Sequence, residues 1–224
     1  MPTLALVHTS PMLAPMFNEL TARITPKTRV LHFVDESLIK NTIATGSLER
    51  STMRRVISLI GSSFDAGADV ALVTCSSIGP AVDIAAQLYD QPVLRVDRPM
   101  AEKALEIGRR IGVAATLSTT LKPTAELVRN VAAELGKDIE IVEQLCEGAF
   151  DAVMAGDGET HDRIVGEGLT VGLQSVDAIV LAQASMARVL DSLPDDALKV
   201  PVFSSPELGV ERARDVLHEM CGAS

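Results

Sequence analysis

Tryptophan is absent from this 224-residue chain, and aromatic residues of every kind make up only 3% of it. Stacking platforms for unpaired bases are therefore missing. The net charge of −10 also argues against a nucleic-acid or anionic-membrane partner. A small anion is not excluded, because oriented backbone amides bind carboxylates inside an acidic protein. No apolar run approaches the roughly 20 residues that cross a bilayer. Met1-Pro2-Thr3 has no basic residue and leads into only a short apolar run, so no signal peptide is expected. Cysteine is scarce: Cys75, Cys146 and Cys221 are odd in number and far apart, which predicts reduced thiols and a cytoplasmic location. No CxxC, HExxH or His/Cys cluster points to a metal, and neither GxGxxG nor GxxxxGK[ST] points to a nucleotide, so no cofactor is expected. A Ser-His-Asp hydrolase is excluded for want of a GxSxG elbow.

What is present is an ordinary globular balance, 47% hydrophobic and 22% charged, in a chain long enough for one large domain or two lobes. Its organising stretch is Asp69-Val70-Ala71-Leu72-Val73-Thr74-Cys75-Ser76-Ser77-Ile78-Gly79-Pro80. The bounded apolar run reads as a buried strand, and Gly79-Pro80 leads into a helix. Cys75 then falls just past the carboxyl end of a strand, where ligands bind in parallel α/β sheets. A helix N-terminus there predicts a thiol pKa below the usual value of about 8.5. The alternative is a small buried cysteine packing as a hydrophobe.

Taken in order, strands are predicted at Thr3–His8, Arg29–Val34, 69–74, Val93–Val96, Gly112–Ala115, Ile139–Val142, Ala178–Leu181 and Val200–Phe203. Helices fall between them, including a stripe at Leu13, Met16, Phe17 and Leu20, a long helix through Val56 and Ile60, and Pro99 to about Arg110. Further helices are expected at Cys146–Ala155, Glu159–Leu173, Met186–Leu193 and from Pro206 to about Cys221, whereas Asp35–Thr45 reads as a polar connection. Such alternation implies parallel sheets with right-handed crossovers. The stretch beginning at Asp69 also lies over Asp177–Met186 at an offset of 108, which superposes Cys75 on Gln183, and the same offset takes His8 to Thr116 and Ser10 to Ser118. Two similar lobes facing each other across a cleft are expected, with Cys75 and Gln183 opposed.

Val73-Thr74-Cys75-Ser76-Ser77, the counterpart Ile179-Val180-Leu181-Ala182-Gln183, and Arg110-Ile111-Gly112-Val113-Ala114-Ala115-Thr116 together resemble the aspartate/glutamate/hydantoin racemase superfamily. The resemblance implies an α/β fold of two flavodoxin-like lobes related by a pseudo-twofold, no cofactor, and a site in the cleft. It also implies that the last helix returns to the first lobe, giving lobe 1 as residues 1–98 and 206–224 and lobe 2 as 99–205. A homo-oligomer, a dimer or larger, is likewise implied. Such racemases set one cysteine on each face of a substrate α-carbon, one removing the proton and the other delivering one. Cys75 matches the first cysteine. Gln183 holds the place of the second, and an amide does not titrate. A racemase or isomerase acting on a small carboxylate, an amino acid or hydantoin-like, through Cys75 is the expected function. The alternatives are a single-cysteine decarboxylase or lyase like the arylmalonate decarboxylases, a cis-trans isomerase like the maleate isomerases, and a carboxylate-binding protein without turnover.

Several neighbours are candidate substrate contacts. Ser76 and Ser77 offer amides and hydroxyls to a carboxylate, or else cap the next helix. Ala184 and Ser185 are their counterparts beside Gln183. Thr116, Thr119 and Thr120 would line the first loop of lobe 2, and His8, Thr9 and Ser10 the matching loop of lobe 1. Gln183 itself would donate a hydrogen bond to a carboxylate or enediolate oxygen. His32, His161 and His218 read as surface or helix residues, Asp69 and Asp177 as turn formers, and Arg95-Val96-Asp97-Arg98 as either a hinge with an ion pair or a solvated connection.

Overall fold

The computed structural model describes residues 1–194 and 196–222; Asp195, Ala223 and Ser224 lie outside them. The chain divides into two compact units, Met1–Pro99 with Pro206–Ser224, and Met100–Ser205. Each contains one four-stranded sheet with every strand pairing parallel.

In unit one the strands are β1 (Thr3–His8), β2 (Arg29–Val34), β3 (Val70–Val73) and β4 (Val93–Arg95), ordered β2-β1-β3-β4. The central strands β1 and β3 are buried along their whole length, which is why both read as unbroken apolar runs. Their side chains alternate between two cores. Ala5, Val7, Ala71 and Val73 meet Leu38 of α2 (Glu36–Thr45), Val56 and Ile60 of α3 (Arg50–Asp65), and Ala81, Val82 and Ala85 of α4 (Gly79–Ala85). Leu4, Leu6, Val70 and Leu72 meet Phe17 of α1 (Ala14–Ile24) and Val210, Ala213 and Leu217 of the last helix, Ser205–Gly222. That helix approaches so closely that a Cβ on Gly209 would stand 3.1 Å from the Val96 backbone.

Unit two repeats the plan. Its strands are β5 (Arg110–Ala115), β6 (Glu140–Leu145), β7 (Ala178–Leu181) and β8 (Val202–Ser204), ordered β6-β5-β7-β8. After β4 in chain order comes α5 (Arg98–Ile107), whose Met100, Ala101, Ala104 and Leu105 are buried. Then come α6 (Ser118–Glu134), α7 (Ala149–Met154) and α8 (Gly158–Glu167), and the last helix is α9. A π-helical turn, Gly168–Gly172, extends α8. Val165, Leu169, Leu173, Val189, Ile179 and Leu181 share one core.

Some expectations are corrected. Asp35–Thr45 is no polar connection: the Asp35 side chain caps Ser37 N–H at 3.0 Å, Gly46 closes the helix at φ 69°, and Leu38 and Thr42 are buried one turn apart. The segment after β7 is a 3-10 helix, Ala184–Ser192, instead of an α-helix over Met186–Leu193. The expected helix over Cys146–Ala155 shortens to Ala149–Met154, and the strand at Val200–Phe203 moves to Val202–Ser204. Arg95 and Asp97 are not a solvated connection, since their side chains are 5% and 1% exposed.

Candidate active site

In a sheet ordered β2-β1-β3-β4 the chain leaves β1 toward one side and continues from β3 toward the other, so a crevice opens at the carboxyl ends of those two strands. The loops there carry His8-Thr9-Ser10 and Thr74-Cys75-Ser76-Ser77-Ile78. Cys75 is extended (φ −133°, ψ 118°), and a 3-10 turn at Ser76–Ile78 precedes α4. Its residue surface is partly exposed, but the sulfur is enclosed, and burial raises the thiol pKa. Hydrogen bonds from the Thr9 hydroxyl, the Ser77 and Ile78 N–H groups and the Ser77 hydroxyl pull the other way without cancelling the burial. The low-pKa thiol expected from the sequence is thus corrected: four donors favour the thiolate, but desolvation outweighs them. Ser76 and Ser77 are both buried. Ser10 spends its hydroxyl on the Met12 N–H at 3.3 Å.

Behind the thiol stands a polar chain. His8 is fully buried, with Nδ1 2.8 Å from Thr74 Oγ1 and Nε2 2.9 Å from His32 Nδ1. His32 Nε2 lies 2.9 Å from Asn18 Oδ1. The two imidazoles stack at 5.1 Å between centroids, and Phe17 lies 5.5 Å from His8. Burial, and to a lesser degree His32, lowers the His8 pKa to about 4, so the ring is neutral at pH 7. His8 is therefore placed in the interior with both nitrogens occupied. His32, expected on the surface or a helix, is instead a half-buried residue of β2 whose ring packs on His8. A lone histidine in the apolar run Arg29–Val34 was the available signal for it, and Thr74 carried no signal as a partner.

In unit two Gln183 has nearly the same backbone as Cys75 (φ −132°, ψ 137°). Its Oε1 accepts the Thr116 N–H at 2.6 Å and the Thr116 hydroxyl at 3.0 Å. Thr116, Thr119 and Thr120 are buried, and Thr119 Oγ1 has no hydrogen-bond partner among the described residues. Ser185 is exposed and Ala184 partly so.

Strand pairing fixes how the halves correspond. Thr74 N–H donates to Val7 O and Ala182 N–H to Ala114 O. Leu4 pairs with Val70, and Ile111 with Ala178. Cys75 therefore matches Gln183, as expected, but the first strand is displaced by 107 positions and not 108: Arg110 takes the place of Thr3. His8 matches Ala115 and Thr9 matches Thr116, which corrects the pairing of His8 with Thr116. The Thr9–Cys75 bond is thus repeated as the Thr116–Gln183 bond. Asp69 and Asp177 match too, and each staples the strand beside it. Asp69 Oδ2 accepts Thr3 N–H at 2.7 Å, and Asp177 Oδ2 accepts Arg110 N–H at 2.8 Å.

The remaining cysteines lie on other elements, Cys146 with its N–H on Ala115 O at 2.8 Å beside Thr116. Cys146 follows the edge strand β6, packs in the core of unit two under Gly168, and has its pKa raised by burial to about 11. Cys221 is exposed on α9. His161 is buried on α8 with Nδ1 2.7 Å from Asp162 Oδ1. Among the described residues, no group of three or more His, Cys, Asp or Glu side chains is arranged to hold a metal ion, and no helix is long and apolar enough to cross a membrane.

Two units, each a parallel α/β sheet with polar loops at its switch point, define a class of two-lobed α/β proteins. The chain belongs to the Asp/Glu/Hydantoin racemase family, whose profile matches residues 8–213. Among solved structures it is similar to a glutamate racemase from Francisella tularensis subsp. tularensis SCHU S4 in complex with D-glutamate. That pair has a TM-score of 0.77 and 15% identity over 98% of this chain and 82% of that one. The Picrophilus torridus aspartate racemase has a TM-score of 0.69 and 15% identity over 99% and 95% of the two chains. The allantoin racemase from Klebsiella pneumoniae has a TM-score of 0.63 and 16% identity over 100% and 89%. No curated protein matches the chain closely enough to count as a relative.

Proposed function

We propose that this chain is a cofactor-independent racemase-type enzyme that exchanges the α-proton of a small carboxylate on one face, through Cys75. The observation that carries this is the set of donors on the Cys75 sulfur, from Thr9, Ser77 and Ile78, at the switch point of unit one. A thiolate formed there takes the α-proton; the C–H bonding electrons pass into the carboxylate as an enediolate, and the thiol returns the proton to the same carbon. Burial raises the thiol pKa, which makes the thiolate a stronger base once it forms. Gln183 supplies no proton. With Oε1 held by Thr116, its Nε2 is a hydrogen-bond donor at the matching strand end of unit two. Thr119, in the first turn of α6, adds a buried hydroxyl without a hydrogen-bond partner among the described residues.

The family and the relatives named above are racemases, and nothing in them favours the decarboxylase or cis-trans isomerase alternatives. The test is proton NMR in deuterated water with both enantiomers of aspartate, glutamate and substituted hydantoins, and Cys75→Ala as control. Deuterium entering the α-position of one enantiomer, lost in Cys75→Ala, is the expected result. Exchange that survives in Cys75→Ala overturns the assignment.

A further inference from the structure

We propose that His8, clasped between Thr74 and His32, is a positioning residue for Cys75: its ring ties the ends of β1 and β3 together one residue behind Thr9 and Cys75, and so sets the hydrogen bond from Thr9 to the sulfur. The inference rests on Cys75 being the reacting thiol.

Three observations converge on it. The first is connectivity. His8 precedes Thr9 and Thr74 precedes Cys75, so the bond between His8 Nδ1 and Thr74 Oγ1 (2.8 Å) runs beside the Thr9–Cys75 bond, one residue back on each strand. The second is direction. The chain ends on Asn18 Oδ1, which only accepts, so His32 Nε2–H donates to it and leaves His32 Nδ1 to accept. His8 Nε2–H then donates to His32 Nδ1 at 2.9 Å, and His8 Nδ1 accepts from the Thr74 hydroxyl at 2.8 Å. Both ring nitrogens are fixed, and with them the plane of the ring and the end of β1.

The third observation is the other unit. The positions matching His8 and Thr74 are Ala115 and Ala182, both buried. The place matching His32 is Glu143, which faces Arg129 instead, at 2.7 Å. The same strand ends are thus built without a clasp where the loop ends in an amide. Burying imidazoles is unfavourable relative to alanine packing. The polar version occurs behind Cys75, the member of the Cys75/Gln183 pair that ionises. His32 is the only titratable group bonded to His8 among the described residues. Phe17 from α1 and Thr74, just past β3, also contact the ring.

The experiment measures iodoacetamide alkylation of the full chain against pH, with each cysteine followed separately by peptide mass spectrometry. The double variant His8→Ala/Thr74→Ala reproduces the Ala115/Ala182 pair of unit two. Loss of one charge-assisted donor should move the Cys75 midpoint upward by about one pH unit and slow its alkylation roughly tenfold below the midpoint. In Thr74→Ser, which keeps the hydroxyl, the midpoint should stay in place. Buried Cys146 remaining unlabelled shows that the fold is intact. An unmoved Cys75 midpoint in the folded double variant overturns the proposal. If Cys146 becomes labelled, Thr74→Ala compared with Thr74→Ser decides by the same midpoint. Alkylation requires no turnover, so loss of Cys75-dependent exchange in deuterated water would overturn the proposed function alone.

Discussion

Gln183 turns its carboxamide oxygen onto Thr116, accepting the backbone N–H at 2.6 Å and the hydroxyl at 3.0 Å. An amide has one oxygen and one NH2, so this bond decides which end is left for a ligand. Among the described residues Nε2 has no partner. What unit two offers at this position is therefore a donor, whereas unit one offers a sulfur that gains or loses a proton.

Replacing Gln183 by cysteine puts an ionisable thiol at the matching strand end of unit two and tests whether that position reaches the substrate of Cys75. The backbones of Cys75 and Gln183 differ by 1° in φ and 19° in ψ. Thr116 is placed to serve the new sulfur as Thr9 serves Cys75. Gln183→Cys should bring deuterium into both enantiomers of a substrate, with the slower face gaining on the order of 10²-fold. Time-resolved proton NMR in deuterated water reads the two rates separately. An unchanged slow face would mean that the position is out of reach of the α-carbon.

His8 makes the fold sensitive to mild acid. Its pKa is about 4 in the folded chain, below the ordinary 6.5, because burial and His32 both disfavour the charged ring. Between those values the unfolded chain binds more protons, so stability falls as pH drops from 6.5 toward 4 and levels off below. The shift alone corresponds to about 3 kcal/mol, which screening at the half-buried His32 edge reduces to about 2 kcal/mol. Urea unfolding at pH 7 and pH 4.5 should show this loss, and His8→Ala should remove most of it. The residual slope belongs to His32, whose pKa burial also lowers.

Arg95 anchors the end of β4. Desolvation opposes its charge, but Asp97 and Asp83 outweigh that and hold the guanidinium above its ordinary pKa. Nε and one terminal nitrogen donate to the Asp97 carboxylate, both at 2.9 Å, and the other donates to Asp83 at 2.7 Å. Arg95→Ala leaves the Asp97 charge buried without its partner and should cost about 3–5 kcal/mol in denaturant unfolding. Arg95→Met combined with Asp97→Leu should cost less than Arg95→Ala. A combined loss as large as the single one would place the energy in side-chain shape, not charge.

Residues close together in sequence made the fold legible. Val70–Val73 followed by Thr74-Cys75-Ser76 carries both a buried strand and the polar loop at its end within a few positions. The last helix required more, because its contacts with β1 and β3 span most of the chain; that expectation came from resemblance. Asp35 and Gly46 were readable cap signals for α2, overlooked because only Leu38 and Thr42 turn inward between them. His32 was hidden for a different reason. Its partner is 24 residues away, and only the parallel register that sets Leu6 beside His32 brings the rings together. Likewise, hydroxyl matching placed His8 against Thr116, and backbone pairing moved the correspondence by one residue. The Cys75 pKa was misjudged because a helix end is visible in sequence and the burial of a sulfur is not.

The four strand starts of unit two are displaced from those of unit one by unequal intervals: Thr3 to Arg110, Arg29 to Glu140, Val70 to Ala178 and Val93 to Val202. Yet the pairing register within each sheet is the same at β1–β3 and β5–β7. The crossovers thus act as slack between fixed mooring points, taking up gains and losses of chain without disturbing where a strand delivers its last residue. Chemistry at those delivery points can change one side chain at a time, thiol for amide or imidazole for methyl, while the scaffold keeps its dimensions.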